Sequence, residues 1–87
     1  MPVKLGKKVA TLEGVCAVEE AEPLLAWLRE HPRGRVNLAR LEHPHTAVLQ
    51  VLMALGPAVS APPKDRELAA WLLPAMGAGE REEAAAP

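Results

Sequence analysis

The segment from Arg35 to Leu55, RVNLARLEHPHTAVLQVLMAL, constrains the fold more than any other part of the chain. A short alternating stretch, Arg35 to Leu38, reads as a strand. Pro44 disfavours helical geometry at His43 and so separates that strand from the helix after it. A helical run then starts at once, with Val48, Leu49, Val51, Leu52, Met53 and Leu55 leaving it almost no polar face. A helix apolar all round is buried on more than one side, and in so small a domain one of those sides is expected to meet another protein. Thr46 is the expected N-cap, at a helix mouth where backbone N–H groups lack partners and the dipole is positive.

The flanking sequence repeats this alternation. Val3 and Leu5 suggest an edge strand, and Val9 to Leu12 a second strand closed by Glu13-Gly14. Val18, Ala21, Leu25 and Leu28 recur at helical spacing and are expected to form one buried face. Pro23 must lie near the start of that helix, because an interior proline costs about 3 kcal/mol. His31-Pro32-Arg33-Gly34 stops it, and Gly56-Pro57 stops the apolar helix. Ala58-Val59-Ser60 reads as a short strand. A third helix starts at Lys64 or Asp65, with Leu68, Trp71, Leu72 and Ala75 facing inward and Pro74 kinking or ending it. The expected fold is therefore α/β, in the order β-β-α-β-α-β-α, with a mostly parallel sheet, right-handed crossovers and helices packed on it. Residues 1–77 form the expected domain. Residues 78–87, rich in Ala and Glu, read as a disordered tail dispensable for folding.

Composition narrows the function classes. Eighty-seven residues allow one small domain. A net charge of −1 makes no electrostatic case for nucleic acid or an anionic membrane. Cys16 stands alone, so no intramolecular disulfide is possible and a reducing compartment is expected. No basic segment precedes a long apolar one, and no apolar run could span a bilayer. The expectation is a soluble, cytoplasmic protein.

Few residues suggest chemistry. His43 and His45 could share one face of a strand end, yet neither they nor Cys16 and His31 have the spacing of a zinc site. Cys16, between Val15 and Ala17, reads as a buried thiol rather than a nucleophile. The glycines are isolated, so there is no phosphate loop. No cofactor, metal or catalytic residue is expected. Thr46 is either a simple cap or an exposed hydroxyl open to phosphorylation, where the helix end would stabilise the added charge. Trp27 and Trp71 lie beside their helices' core stripes; core packing is expected for at least one of them, with an interface anchor as the alternative role.

From Lys8 to Gly77 the chain resembles the STAS domain, the fold of anti-sigma-factor antagonists. KKVATLEG resembles the opening strand and VEEAEPLLAWL the first helix. RVNLARLEHPHTAVLQVLMAL resembles the signature strand, phospho-acceptor position and apolar helix, and PAVSAP with the Arg66-to-Met76 helix resembles the family's next strand and helix. The Thr-Ala-x-Leu-Gln variant is similar to small bacterial STAS proteins of chemotaxis clusters and phospholipid transporters. His45 stands where the family usually has Asp, and Val48 where it often has Gly. The resemblance implies a non-enzymatic regulatory module binding a protein partner, such as a kinase, a chemotaxis component or a transporter subunit. It places Thr46 at the functional position, with His45, Ala47, Val48 and Met53 on the interaction surface. Two alternatives are an accessory subunit of an ABC-type phospholipid transporter and a self-assembling structural subunit or homodimer.

Overall fold

A computed structural model describes residues 3–77. The expected tail, 78–87, lies outside the described residues. Among the described residues, a four-stranded mixed sheet in the order β1-β2-β3-β4 carries three α-helices. Strand β1 (Val3–Leu5) runs antiparallel to β2 (Val9–Cys16), while β3 (Arg35–Pro44) is parallel to both β2 and β4 (Ala58–Ala61). The two crossovers are helices α1 (Ala21–Glu30) and α2 (Thr46–Leu55), which pack against each other. Helix α3 (Arg66–Ala75) follows β4.

One apolar core joins the layers. Ala10, Leu12, Val36 and Leu38 of the central strands share it with Leu24 and Leu28 of α1, Leu52 of α2 and Leu72 of α3. Alternate residues have the opposite character. Glu13 bridges Lys4 at 3.4 Å and Arg40 at 3.8 Å, linking three neighbouring strands through exposed ion pairs. Such pairs each contribute at most about 1 kcal/mol.

Both central strands are longer than the alternation predicts. The β2 strand continues through Glu13-Gly14 to Cys16, and β3 runs six residues past Leu38 to Pro44. Register shifts against β3 at Thr11/Glu13 and Gly14/Val15 let both continue while changing the face each residue presents. Gly14 supplies the positive φ of 57° that the irregularity uses. These shifts erase the period of two.

The buried face of α1 also differs from expectation. Leu24, Trp27 and Leu28 are buried, whereas Leu25 is half-buried and Val18 exposed. A 3-10 turn over Val18–Glu20 precedes the helix, and its tighter winding puts Val18 out of phase with the α-helical stripe. Pro23 sits in the first turn of α1, where its missing N–H has no intrahelical role.

In α2 the expectation of burial on more than one side is corrected. Val48 and Leu52 are buried and Leu49 and Val51 partly so, but Gln50, Met53, Ala54 and Leu55 are exposed. Gly56, with φ of 52°, ends the helix in a left-handed cap and donates its N–H to Leu52 O at 2.8 Å. In α3 the buried residues are Leu68 and Leu72, with Met76 buried just past its end, while Trp71 and Ala75 face solvent. Asp65 caps the helix, its Oδ1 accepting from Glu67 N and Leu68 N. The helix ends one residue after Pro74. Among the described residues, no helix is long and apolar enough to cross a membrane.

Candidate functional site

The carboxyl ends of β2 and β3 bring together Val15, Cys16, His43 and Pro44, since Val15 pairs with His43 and Cys16 with Pro44. His45 N–H donates to Cys16 O at 2.8 Å, so the chain leaves the sheet and enters α2 with a fixed direction. In parallel α/β sheets the carboxyl edge is where loops and helix N-termini converge, and it is the common location of binding sites.

Thr46 lies at this edge, but it is not the N-cap. His45 caps α2, its Nδ1 accepting the Ala47 N–H at 3.0 Å. The preference that pointed to Thr46 reflects hydroxyls in general; here the extended backbone at His45, with φ −62° and ψ 151°, gives the imidazole that role instead. Thr46 is the first helical residue and is exposed. Its hydroxyl takes no part in the cap.

The other expected surface residues divide. Ala47 is half-buried and Val48 is fully buried against the core, so Val48 is not part of the surface. Positions 46, 50, 53 and 54 follow the helical repeat, and Thr46, Gln50, Met53 and Ala54 form one exposed stripe. Val48 and Leu52 occupy the opposite side of the same helix. Met53 is 39% exposed.

Three exposed apolar side chains extend this edge. Val15 is 63% and Val18 49% exposed, and the 3-10 turn carrying Val18 touches α2. Trp71, 48% exposed, lines a depression of about 320 Å³ with His43, Pro44, Leu49, Leu68 and the acidic residues Glu42, Asp65 and Glu67. Val15 is missed from the sequence because the alternation ends its strand at Gly14. Val18 is missed because it fits the helical period of residues that do bury. Trp71 is corrected from core residue to surface residue, while Leu72 is buried as expected and Met76 is buried beside it.

Two ionisable groups lie beneath this surface. Glu20 is only 7% exposed, and its Oε2 is buried with no hydrogen-bond partner among the described residues. Cys16 is fully buried. Burial pushes its thiol above the ordinary value, and the nearby Glu20 charge adds to this. A thiol held neutral is a poor nucleophile. Because its proton is bound more tightly in the folded state, its contribution to stability is full below the ordinary thiol range. That contribution declines as pH rises through the raised value. We expect alkylation of Cys16 by iodoacetamide at mildly alkaline pH to be much slower in folded than in urea-unfolded protein. Equal rates would contradict the burial.

Among the described residues, His43 and His45 converge on no third ligand. Among the described residues, no three His, Cys, Asp or Glu side chains cluster to hold a metal ion.

The cap is open to a direct test. The first turn of α2 contains no acid, so its positive end lacks a complementary charge. His45→Asp should add one and raise stability by about 0.5–1 kcal/mol. A thermal midpoint unchanged or lowered by this substitution would show that His45 has a role other than capping.

No family model, curated protein or solved structure matches this chain.

Proposed function

We propose that this protein is a STAS-like, non-enzymatic regulatory module that binds a protein partner through the carboxyl edge of its sheet. The observation carrying this reading is the exposure of Val15, Val18 and Trp71 at the sheet edge that also carries a threonine hydroxyl not engaged in its own cap. Tryptophan at the rim of a shallow depression is a frequent anchor in protein interfaces. The stripe Thr46, Gln50 and Met53 adds contact area along α2. The STAS-like reading rests on the order of elements and on the Thr-Ala-Val-Leu-Gln sequence at the start of α2.

In this reading Thr46 is the residue through which the interaction is switched. A phosphate there would add about two negative charges at a helix N-terminus, which stabilises them, and would change the surface met by the partner. Thr46→Glu introduces charge and bulk at the same point. It is expected to weaken binding of a co-purifying partner by more than about tenfold, equivalent to about 1.4 kcal/mol, while the thermal midpoint stays nearly constant. Undiminished affinity would refute the assignment.

A second copy of the chain is the alternative occupant, favoured by the exposure of Met53 and Leu55 on α2. Sedimentation of the purified protein separates the two cases. A concentration-dependent dimer abolished by Met53→Lys supports self-association, and a monomer across the micromolar range excludes it.

A further inference from the structure

The opposite edge of the sheet holds a second, chemically different feature. A cleft of about 720 Å³ opens where the turn before β2 meets the turn before β3. Lys7, Lys8, Arg33 and Arg35 line it together with His31, and among the described residues no carboxylate does. All four cationic residues are exposed, and among the described residues none of them forms an ion pair. The two ion pairs of the described residues both involve Glu13, on a different part of the sheet. A chain with a net charge of −1 thus gathers four cations in one concavity. Like charges brought together repel, and a concave surface of one sign focuses the field that attracts an opposite charge.

The cleft is firmly built. Arg35 N–H donates to Lys8 O at 2.9 Å, joining the two basic turns directly. Gly6 N–H bonds Val9 O at 3.0 Å, and Gly34 N–H bonds His31 O at 2.8 Å. Trp27 ties both turns to α1. Its indole N–H donates to Gly6 O at 2.9 Å, and its ring stacks on His31 with centroids 4.4 Å apart. The cationic side chains therefore project from a backbone fixed by hydrogen bonds on each side, an arrangement that lowers the ordering cost of binding.

We propose that this cleft binds a phosphate-bearing small molecule of nucleotide size. Two arginines offer planar forks for phosphate oxygens, and two lysines add mobile point charges. The volume lies in the range of small-molecule sites and far exceeds that of an isolated phosphate. Val9, Pro32 and the His31 ring provide an apolar wall for the organic part. The positive charge is confined to one concavity instead of forming a long stripe, which favours a compact anion over a nucleic-acid strand. The site is separate from the Thr46 edge, since it lies at the amino ends of β2 and β3, and it stands whether or not that edge binds a protein.

Isothermal titration of the full chain at low ionic strength tests the proposal, with ATP, inorganic tripolyphosphate, a short single-stranded RNA and vesicles containing phosphatidylglycerol as probes. We expect saturable one-to-one binding of ATP, with tripolyphosphate weaker. The double variant Lys8→Glu, Arg33→Glu should lose more than about tenfold in affinity, since charge-assisted hydrogen bonds are removed. The variant Lys64→Glu, Arg66→Glu changes the net charge equally but lies at the other edge, and it should bind ATP as the parent does. Circular dichroism confirms that both variants fold; should the first fail, Arg33→Gln alone should lose severalfold. Absence of ATP binding, equal losses in both double variants, or preferential binding of RNA or vesicles would each overturn the proposal.

Discussion

Leu52→Ala lowers the free energy of unfolding by about 2–5 kcal/mol. Leu52 is fully buried on the inner face of α2, where it belongs to the core that also contains Leu12, Leu38 and Leu72. Truncating its side chain leaves a cavity surrounded by the sheet and by helices held at both ends. His45 and Gly56 cap the two ends of α2, so the helix has little freedom to collapse into the space. Domains of this size have total stabilities on the order of 5 kcal/mol, and the substitution removes a large part of that. Urea unfolding should show a sharply lower midpoint with an unchanged slope. A loss below about 0.5 kcal/mol, the usual range for surface substitutions, would mean that α2 is not packed on the sheet as described.

The second large effect is at Gly34. A Cβ there would come within 2.6 Å of Trp27 Cη2 and 2.7 Å of Cζ3. The indole cannot easily retreat, because it is buried, stacked on His31 and hydrogen-bonded to Gly6 O. Gly34→Ala therefore forces either the ring or the turn to move. Overpacking of this kind costs about 1–3 kcal/mol, which lowers the thermal midpoint by roughly 4–8 °C for each kcal/mol in a domain this small. Near-ultraviolet circular dichroism from Trp27 should change with it. Trp27→Phe, which leaves a smaller ring, should make Gly34→Ala less costly; additive effects of the two would show that the contact is absent.

Gly34 and Trp27 also show what the residues alone convey and what they do not. Gly34 is legible as a helix stop, because Pro32 and Gly34 come after the last apolar residue of the helix. Its burial under Trp27 is not, since the contact depends on the turn's tertiary position. The order of elements is set by local punctuation at Pro44, Gly56-Pro57 and Pro62-Pro63. Strand length is not, because the register shifts in β2 and β3 cancel the alternation that marks a strand. The faces of α1 and α3 differ from the expected ones for a related reason. A 3-10 turn changes the phase of Val18, and Met76, beyond the end of α3, takes the interior place expected for Trp71.

The two candidate sites differ in legibility. Thr46 stands out through the Pro-His-Thr entry to an apolar run, whereas Val15 and Val18 are ordinary hydrophobic residues until the fold leaves them outside. The basic cleft is hidden by the net charge, which averages over the whole chain. Its signal is present as Lys7-Lys8 before one strand and Arg33-x-Arg35 before the next. Residues entering two adjacent parallel strands lie side by side, and the Arg35-to-Lys8 hydrogen bond joins them.

The central claim is that the partner meets the edge carrying Thr46. Site-specific photo-crosslinking tests it most directly. A benzophenone amino acid placed at position 46 in the native host should give one discrete adduct on irradiation. The same probe at position 29, an exposed site on α1, should give none. The adduct at position 46 should also disappear when Trp71 is changed to serine. No adduct at position 46, or equal adducts from both positions, would contradict the assignment of this edge as the partner surface.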